Sequence, residues 1–384
     1  MLPYGKQSIS NSDVEAVVRT LLSENLTQGA KVPEFEGTIS TYCGCHYSVA
    51  VNSATSGLHV ACLALGLRPG DELWTSPISF VASSNCALYC GAKVDFVDID
   101  PLTYNMSIEC LEKKLKKAKE ANKVPKIVVP VHLCGQSCDM ERMASLKREY
   151  GFKIIEDASH AIGGSYHGRP IGNCQFSDIT VFSFHPVKII TTGEGGMAVT
   201  NDESLVQKMR RFRSHGITRD PLEMTSVPDG SWYYQQIELG FNYRMTDIQA
   251  ALGISQMFRL DSFVRRRQEI AQKYATLLHG LPVILPTQDP KASSAYHLYP
   301  ILILDLESKG REAVFESLRK QDIGVNVHYI PIHLQPYYRK MGFAPGDFPE
   351  AENYYRRAIS IPIYPDLQDA DLKKVTECLK IALG

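Results

Sequence analysis

The sequence of 384 residues predicts an α/β fold in which a large, mostly parallel sheet is followed by a smaller C-terminal α/β domain. Two observations predict it. Over residues 47–200, short β-branched segments alternate with segments of helical periodicity, which is typical of parallel strands covered by helices on both faces. After residue 255 the pattern changes to one long helical segment and a shorter alternation. We therefore predict an N-terminal arm and large domain over residues 1–255, and a small domain over residues 256–384.

The individual elements follow from hydrophobic spacing and from the residues that end each run. Valine and leucine recur at helical spacing after Ser10-Asn11-Ser12, which predicts a helix over residues 13–24. The predicted strands of the large domain are 47–52, 72–75, 94–97, 127–131, 153–156, 180–183 and 196–200, and the helices between them are 58–65, 80–89, 108–122 and 141–150. In the small domain we predict helices over 256–279, 311–320 and 369–383 and strands over 299–304 and 325–329.

The composition excludes some partners. The formal net charge is -1, so the chain has no basic field to hold nucleic acid or an anionic membrane. The N-terminus does not read as a signal peptide, and no apolar stretch approaches the ~20 residues that cross a bilayer. We expect a cytoplasmic protein with reduced cysteines. Cys43-Gly44-Cys45-His46 and Cys134 with Cys138 have no second pair at zinc-site spacing, so no metal is expected.

The first candidate site segment is Ser53-Ala54-Thr55-Ser56-Gly57, which follows a predicted strand and begins a helix. Small residues let the backbone approach a ligand closely, and a helix N-terminus offers free N–H groups to a phosphate. Taken alone, the signal is weak, because such a segment is more often an ordinary helix cap.

The second segment is Glu156-Asp157-Ala158-Ser159-His160, at the carboxyl end of a predicted strand. Ligands bind at that end of strands in open α/β sheets. Asp157 could pair with the pyridinium nitrogen of pyridoxal phosphate and keep the ring protonated. His160 could brace Asp157 or lie over the ring. A capping aspartate beside a structural histidine is the alternative.

The third segment places Lys188 between an aromatic strand end and a glycine-rich turn. A lysine in that setting would be partly desolvated, which lowers the pKa of its amine and makes it reactive. Ser183 could add a hydroxyl to a phosphate site. A single such lysine would more often be structural. The order of phosphate cup, aspartate and lysine along one α/β array is the arrangement that pyridoxal-phosphate chemistry needs.

At these residues the chain resembles the DegT/DnrJ/EryC1/StrS family of sugar aminotransferases. The resemblance covers nearly the whole chain and rests on motifs at residues 26–29, 52–56, 78–82, 96–100, 156–160, 182–188, 193–196, 240–245 and 327–329. It implies the fold type I of pyridoxal-phosphate transferases, which is similar to aspartate aminotransferase.

The resemblance also implies roles for particular residues. Lys188 matches the family's Schiff-base lysine and proton shuttle, and Asn242 matches a residue that reaches the cofactor of a neighbouring subunit, so a homodimer with shared active sites is implied. The implied cofactor contacts are Ala54, Thr55, Ser56, Phe80, Asp157, His160, Ser183, Lys188 and Asn242. The implied nucleotide-sugar contacts are Tyr4, Glu24, Asn25, Leu26, Thr27, Asn326, Val327, His328 and Tyr329.

Fragments at residues 52–56, 76–81, 190–192, 212–216 and 327–331 are most similar to the family branch of pseudaminic acid biosynthesis. That branch implies transfer of an amino group from L-glutamate to a UDP-linked 4-keto-6-deoxy N-acetyl hexose. Gly193 and the stretch Gly57-Leu58-His59 depart from its pattern. An aminotransferase acting at C4 or C3 of another UDP- or dTDP-keto sugar is therefore the alternative.

Three rival functions are weighed against this one. The sugar dehydratases of the family carry histidine where this chain has Lys188. A non-catalytic DNA-binding regulator on the same fold would need a basic helix-turn-helix segment, which the sequence lacks. A dinucleotide oxidoreductase would need G-x-G-x-x-G after the first strand, which is also lacking.

Overall fold

The computed structural model describes residues 1–304 and 310–384. Its strands are β1 (Tyr47–Val51), β2 (Glu72–Thr75), β3 (Lys93–Phe96), β4 (Ile127–Val129), β5 (Lys153–Asp157), β6 (Ser165–Tyr166), β7 (Arg169–Pro170), β8 (Ile179–Ser183), β9 (Gly196–Thr200), β10 (Ile217–Thr218), β11 (Gln235–Gln236), β12 (Val283–Ile284), β13 (Ala292–Ser293), β14 (Tyr299–Ile303) and β15 (Ala358–Ile361). Its helices are α1 (Asn11–Leu21), α2 (Lys31–Cys43), α3 (Ala54–Ala64), α4 (Ala82–Tyr89), α5 (Ile108–Glu120), α6 (Met140–Tyr150), α7 (Glu203–Arg213), α8 (Asp247–Met257), α9 (Leu260–Leu277), α10 (Gly310–Lys320), α11 (Pro336–Arg339), α12 (Pro349–Arg357) and α13 (Asp369–Leu383). Two short 3₁₀ segments lie at Leu133–Gly135 and Ile332–Leu334.

A seven-stranded sheet of order β1-β9-β8-β5-β4-β2-β3 is the largest sheet. Six of its strands run in one direction, and β9 runs antiparallel to both of its neighbours. The α/β fold with a large, mostly parallel sheet is thereby confirmed. Because β5 and β8 are parallel, with Asp157 opposite Val181, their carboxyl ends lie at the same edge of the sheet.

Helices cover both faces of this sheet. Because successive side chains of a strand point to opposite faces, each strand contributes residues to two separate cores. Val49 and Val51 point into the core beneath α3, α4 and α7. Ala50 between them points to the opposite side, where α2, α8 and the start of α9 pack. Ile154 and Ile155 divide in the same way between the core under α5 and α6 and the core under α3. Buried on both faces, the strands read as continuous apolar runs, as parallel strands do.

The C-terminal sheet differs from its prediction. It has three strands in the order β12-β14-β15 and a core of its own with α9, α10 and α13. The strand predicted over residues 325–329 is wrong. Asn326 forms only an isolated bridge with Ser360, and β15, which the sequence did not predict, is the third strand. The chain at residues 325–329 bends into the site instead of continuing along the sheet.

The long helix predicted over residues 256–279 is two helices, α8 and α9, which are separated at Phe258 and Arg259. The guanidinium of Arg259 pairs with the buried Asp13 of α1 and donates to the carbonyl of Ser8 at 3.0 Å. This contact with the N-terminal arm comes from residues about 250 positions away, which is beyond the reach of local periodicity. The sequence also did not predict α2, which starts without a capping side chain.

Candidate active site

A cavity of about 720 Å³ lies at the carboxyl edge of the large sheet, where ligands bind in open α/β folds. It contains most of the residues that the sequence predicted. Those that line it are Tyr4, Ala54, Thr55, Ser56, Phe80, Asp157, His160, Ser183, Lys188, Asn326, Val327, His328 and Tyr329. Parts of the chain that are far apart in sequence, from Tyr4 to Tyr329, thus meet in one place.

The segment between β1 and α3 forms a cup at the floor of the cavity. Ser53 is the N-cap of α3, and its Oγ accepts from the backbone N–H of Ser56 at 3.1 Å. The N–H groups that precede Ser56 in the first turn have no carbonyl four residues back within the helix. Gly196 of β9 lies against this turn: a Cβ there would come within 2.5 Å of the Ala54 nitrogen. The glycine therefore lets β9 pack closely against this turn, and the N–H groups before Ser56 are the ones suited to bind a small anion.

Asp157 ends β5 and is 5% exposed. Its Oδ2 accepts from the hydroxyl of Ser83 at 2.6 Å, and its Oδ1 accepts from the backbone N–H of Ser159 at 3.1 Å. The Ser83 hydroxyl in turn lies 2.6 Å from that of Ser79. A carboxylate held by two donors is fixed in direction, and the sequence signal for Ser83 was only a serine on a helix.

Lys188 follows β8 on irregular backbone and reaches the same cavity. Burial lowers the pKa of its amine to about 8, although the negative charge of Asp157 opposes that shift. An ordinary lysine has a pKa of ~10.4. About a tenth of the Lys188 amine is therefore uncharged and nucleophilic at pH 7, compared with less than about a thousandth for an ordinary lysine.

His160 and Tyr329 are linked by a hydrogen bond in the cavity lining. The backbone N–H of Cys134 donates to His160 Nδ1 at 3.3 Å, and His160 Nε2 lies 3.1 Å from the Tyr329 hydroxyl. Burial and the nearby Lys188 hold the pKa of His160 well below its usual value, so the ring is neutral. Its one proton is then on Nε2 and is donated to Tyr329. The tyrosine O–H is left to donate into the cavity.

The segment at residues 326–329 completes this side. The ring of His328 lies 5.3 Å from that of Tyr4, and its Nδ1 is 2.8 Å from the Ser360 hydroxyl. Burial lowers the pKa of His328 to about 3. The rings of Phe80 and Tyr329 lie 6.4 Å apart across the cavity mouth. These neutral and aromatic groups offer flat apolar surfaces and N–H donors without a permanent charge.

Two sets of predicted residues do not line the cavity of this single chain. Asn242 is exposed, and its backbone forms an isolated β-bridge with Ser214. Glu24, Asn25, Leu26 and Thr27 are exposed as well. The Leu26 carbonyl accepts from the backbone N–H of Asp247 at the start of α8. Both sets are fixed to the body of the chain and face outward from it.

Sequence reasoning did not identify His297, which also lines the cavity. It is 4% exposed, and its ring centroid lies 4.4 Å from that of His160. The only sequence signal was a histidine just before an apolar strand, which is most simply a core residue. Its place in the site depends on the turn before β14, and no local pattern predicted that turn.

The donors and acceptors of the cavity fit pyridoxal phosphate. An open helix N-terminus with Ser183 beside it suits the phosphate, Asp157 suits the ring nitrogen, and the Lys188 amine suits the aldehyde. Among residues 1–304 and 310–384, no three histidine, cysteine or carboxylate side chains form a metal-binding group. In the same part of the chain, no helix is long and apolar enough to cross a membrane.

Comparison with known proteins agrees with this chemistry. The model of the DegT/DnrJ/EryC1/StrS aminotransferase family matches residues 7–380. The chain is 39% identical over 381 residues to the UDP-4-amino-4,6-dideoxy-N-acetyl-beta-L-altrosamine transaminase of Campylobacter jejuni, covering 99% of this chain and 96% of that protein. It is also 39% identical over 384 residues to the spore coat polysaccharide biosynthesis protein SpsC of Bacillus subtilis, with coverage of 99% and 96%.

Among solved structures, Helicobacter pylori PseC, an aminotransferase involved in the biosynthesis of pseudoaminic acid, superposes with a TM-score of 0.91. It is 31% identical and covers 100% of this chain and 99% of its own. Other similar structures include the PLP form and the PMP form of one sugar aminotransferase. Pyridoxal phosphate is thus the cofactor of this chain.

Proposed function

This chain belongs to the DegT/DnrJ/EryC1/StrS aminotransferase family, and from that premise we propose that it moves an amino group from L-glutamate to a UDP-linked 4-keto-6-deoxy N-acetyl hexose, as in pseudaminic acid biosynthesis. The observation that carries the proposal is the meeting of Lys188, Asp157 and the α3 cup in one cavity. The 39% identity to the Campylobacter jejuni transaminase supports the choice of acceptor.

We assign the cofactor contacts as follows. The backbone at Ala54, Thr55 and Ser56 and the Ser183 hydroxyl hold the phosphate, and Asp157 pairs with the ring nitrogen. Phe80 and His160 flank the ring. Bound pyridoxal phosphate supplies an electron sink that lets a proton leave a carbon bearing an amino group.

Lys188 is the catalytic base in this assignment. With a pKa of about 8, its amine can take the proton from the α-carbon of glutamate near neutral pH. In the second half-reaction it moves a proton in the reverse sense, to the sugar carbon that gains the amino group. A positioned base of suitable pKa contributes roughly 10²–10⁴-fold to such a rate. The two half-reactions share one cavity, so glutamate and the sugar bind in turn.

The remaining predicted residues are assigned to the nucleotide sugar and to the partner subunit. Tyr4 and residues 326–329 line the cavity mouth and are proposed sugar contacts. Asn242 and residues 24–27 face outward, which suits contacts with a second copy and with the nucleotide in a homodimer with shared active sites. We also keep residues 1–255 and 256–384 as the two domains, because the core of β14, β15 and α13 is separate.

The cofactor assignment is tested by colour. The purified protein should absorb visible light, and Lys188→Ala should lose that band and all transfer activity because Lys188 is the one lysine in the described cavity lining. The exposed Lys123 provides the matched control, and Lys123→Ala should keep both. A wild-type protein that stays colourless after addition of pyridoxal phosphate would contradict the assignment.

The acceptor is tested with a panel of UDP- and dTDP-linked 4-keto and 3-keto sugars, each incubated with glutamate. Formation of 2-oxoglutarate should be fastest with the UDP-linked 4-keto-6-deoxy N-acetyl hexose. Faster turnover of a dTDP sugar or a C3 ketone would favour the alternative, an aminotransferase for another keto sugar. The equal identity to SpsC, whose name describes spore coat polysaccharide biosynthesis, keeps that alternative open.

A further inference from the structure

His297 has an unusual position in the cavity wall. The residue is 4% exposed and lines the cavity, yet its Nδ1 is fully buried without a hydrogen-bond partner in the described chain. A buried polar atom left unpaired lowers stability. The Nε2 of His297 is neither hydrogen-bonded in the described chain nor fully buried, and it is therefore the ring nitrogen that a ligand in the cavity can reach.

The backbone next to His297 is strained and is held in place by hydrogen bonds. Tyr296, just before it, has a φ of 46°, which is a strained value for a bulky residue. The fully buried guanidinium of Arg267 donates to the carbonyls of Tyr296 at 3.2 Å, His297 at 3.3 Å and Ile363 at 2.9 Å. Strain that the surroundings compensate is typical of functional positions. Arg267 is therefore a positioning residue for the imidazole.

The other two buried imidazoles of the cavity already use their nitrogens. His160 is bonded to the backbone of Cys134 and to Tyr329. His328 is bonded to Ser360 and lies within 3.4 Å of the Asn326 amide. Among the described lining residues, His297 is the one histidine of the buried wall that has an unpaired buried ring nitrogen.

The charges that face His297 are positive or potentially positive. Lys188 and Arg267 are the cationic groups, and burial together with these two and the rings of His160 and His328 holds the pKa of His297 well below its usual value. A neutral imidazole surrounded by such groups lies where an anion is attracted and a cation is repelled. In the described cavity lining there is no arginine, and Lys188 is the one lysine.

Both ligands of the proposed reaction must use this space in turn. The amino donor carries a carboxylate on the reacting carbon, whereas the keto sugar ring is uncharged. A buried arginine would leave an unpaired charge whenever the sugar occupied the site, and that is costly. A neutral imidazole can donate an N–H to a carboxylate and then lie against an uncharged ring without that penalty.

We propose that His297 binds a carboxylate of the amino donor, and that Arg267 holds it in position to do so. The proposal rests on the aminotransferase function but not on the identity of the sugar. The nearby Lys188, which acts at the α-carbon, favours the carboxylate next to the amine over the distal one.

The test is a calorimetric titration of 2-oxoglutarate into the pyridoxal-phosphate form, with which a keto acid cannot exchange an amino group. His297→Ala should raise the Kd at least about tenfold, which corresponds to a lost hydrogen bond to a charged group. His297→Asn keeps an N–H donor and should fall in between. The exposed His279 provides the control, and His279→Ala should leave the Kd unchanged.

Single-turnover kinetics give the second readout. The glutamate concentration for half-maximal rate should rise in His297→Ala, while the half-reaction with the keto sugar should change less than about threefold, since an uncharged ring loses no charged partner. L-Alanine, which has one carboxylate, identifies which carboxylate is bound. Equal losses with alanine and glutamate indicate the carboxylate beside the amine, and a loss with glutamate alone indicates the distal one.

The proposal is overturned if His297→Ala and His297→Asn load the cofactor and bind 2-oxoglutarate as the wild type does, whatever happens to their melting temperature. It is also overturned if both half-reactions slow equally, because that would be a structural effect. If no keto sugar is aminated but the titration depends on His297, the proposed acceptor fails and the carboxylate site stands.

Discussion

The two walls of the active-site cavity are built differently. One wall consists of strand ends: Asp157 closes β5, Ser183 closes β8, and Lys188 follows a few residues later. The other wall consists of irregular backbone after residue 290 and carries His297 and the segment 326–329. Parallel pairing fixes the first wall. Contacts such as the buried guanidinium of Arg267 fix the second.

The walls also differ in charge. The strand-end wall holds a carboxylate and an amine, whereas the loop wall holds two imidazoles whose pKa values are both lowered by burial. A cofactor that stays bound through the cycle can be matched by permanent charges. Ligands that alternate between an amino acid and a sugar are better matched by neutral donors. Changes to the first wall should therefore affect both half-reactions, and changes to the second should affect one.

The largest effect is expected from Asp157→Asn. The amide keeps the shape of the side chain but cannot hold a positive ring nitrogen, so the electron sink is weakened for glutamate and sugar alike. Losing a hydrogen bond between charged groups costs about 1.5–3 kcal/mol, and we expect both half-reactions to slow by roughly 10- to 150-fold. Stopped-flow absorbance of each half-reaction measures the rates.

If Asp157→Asn slows only the glutamate half-reaction, the expectation that changes to the strand-end wall affect both half-reactions is wrong. The exposed Asp229 gives a control for the loss of one negative charge. Asp229→Asn should leave both rates unchanged. This control separates the direct pairing of Asp157 from a general change in the electrostatic field of the protein.

The difference between the walls also explains how far the sequence could predict the site. Asp157, Ser183, Lys188 and the α3 cup lie at ends of strands that alternate recognisably with helices, so local pattern and order were sufficient. His297 and its support by Arg267 depend on a turn and on a helix that begins at Leu260 rather than residue 256. Similarly, the error over residues 325–329 arose because an apolar segment that enters a cavity has the same composition as a strand.

An intermediate effect is expected from pH, through Lys188 itself. The rate at which cofactor-free protein gains visible absorbance on mixing with pyridoxal phosphate follows the uncharged fraction of the amine. With a pKa of about 8, the rate should rise about tenfold per unit below that pH and level off above it, whereas an ordinary lysine would keep gaining until ~10.4. The cofactor itself also titrates in this range. The same rate measured with Nα-acetyl-lysine amide, whose ε-amine is free, in the same buffers corrects the profile for that titration.

A variant at Asp157 provides a second test of this pH profile, because the negative charge of Asp157 raises the pKa of Lys188 and so opposes the effect of burial. Asp157→Asn should therefore move the midpoint of the pH profile to a lower value. A shift to higher pH, or a midpoint near that of free lysine in the wild type, would show that the amine is solvated in the cofactor-free protein. In that case the cavity would be open enough for water to screen the two groups.

The smallest effect is expected from Ser83→Ala, which removes the 2.6 Å hydrogen bond to Asp157 without touching any ligand. Its neighbour provides a matched control: Ser84 is equally buried on α4 and bonds to the Tyr338 hydroxyl at 2.6 Å. Each alanine variant should lose about 1 kcal/mol of unfolding free energy. Only Ser83→Ala should slow both half-reactions, by roughly three- to tenfold, because only Ser83 fixes the direction of a group in the strand-end wall. Equal rates in the two variants would mean that β5 alone orients Asp157. A slowing confined to glutamate would mean that Ser83 acts through the loop wall, and the two walls would then form one connected network of hydrogen bonds.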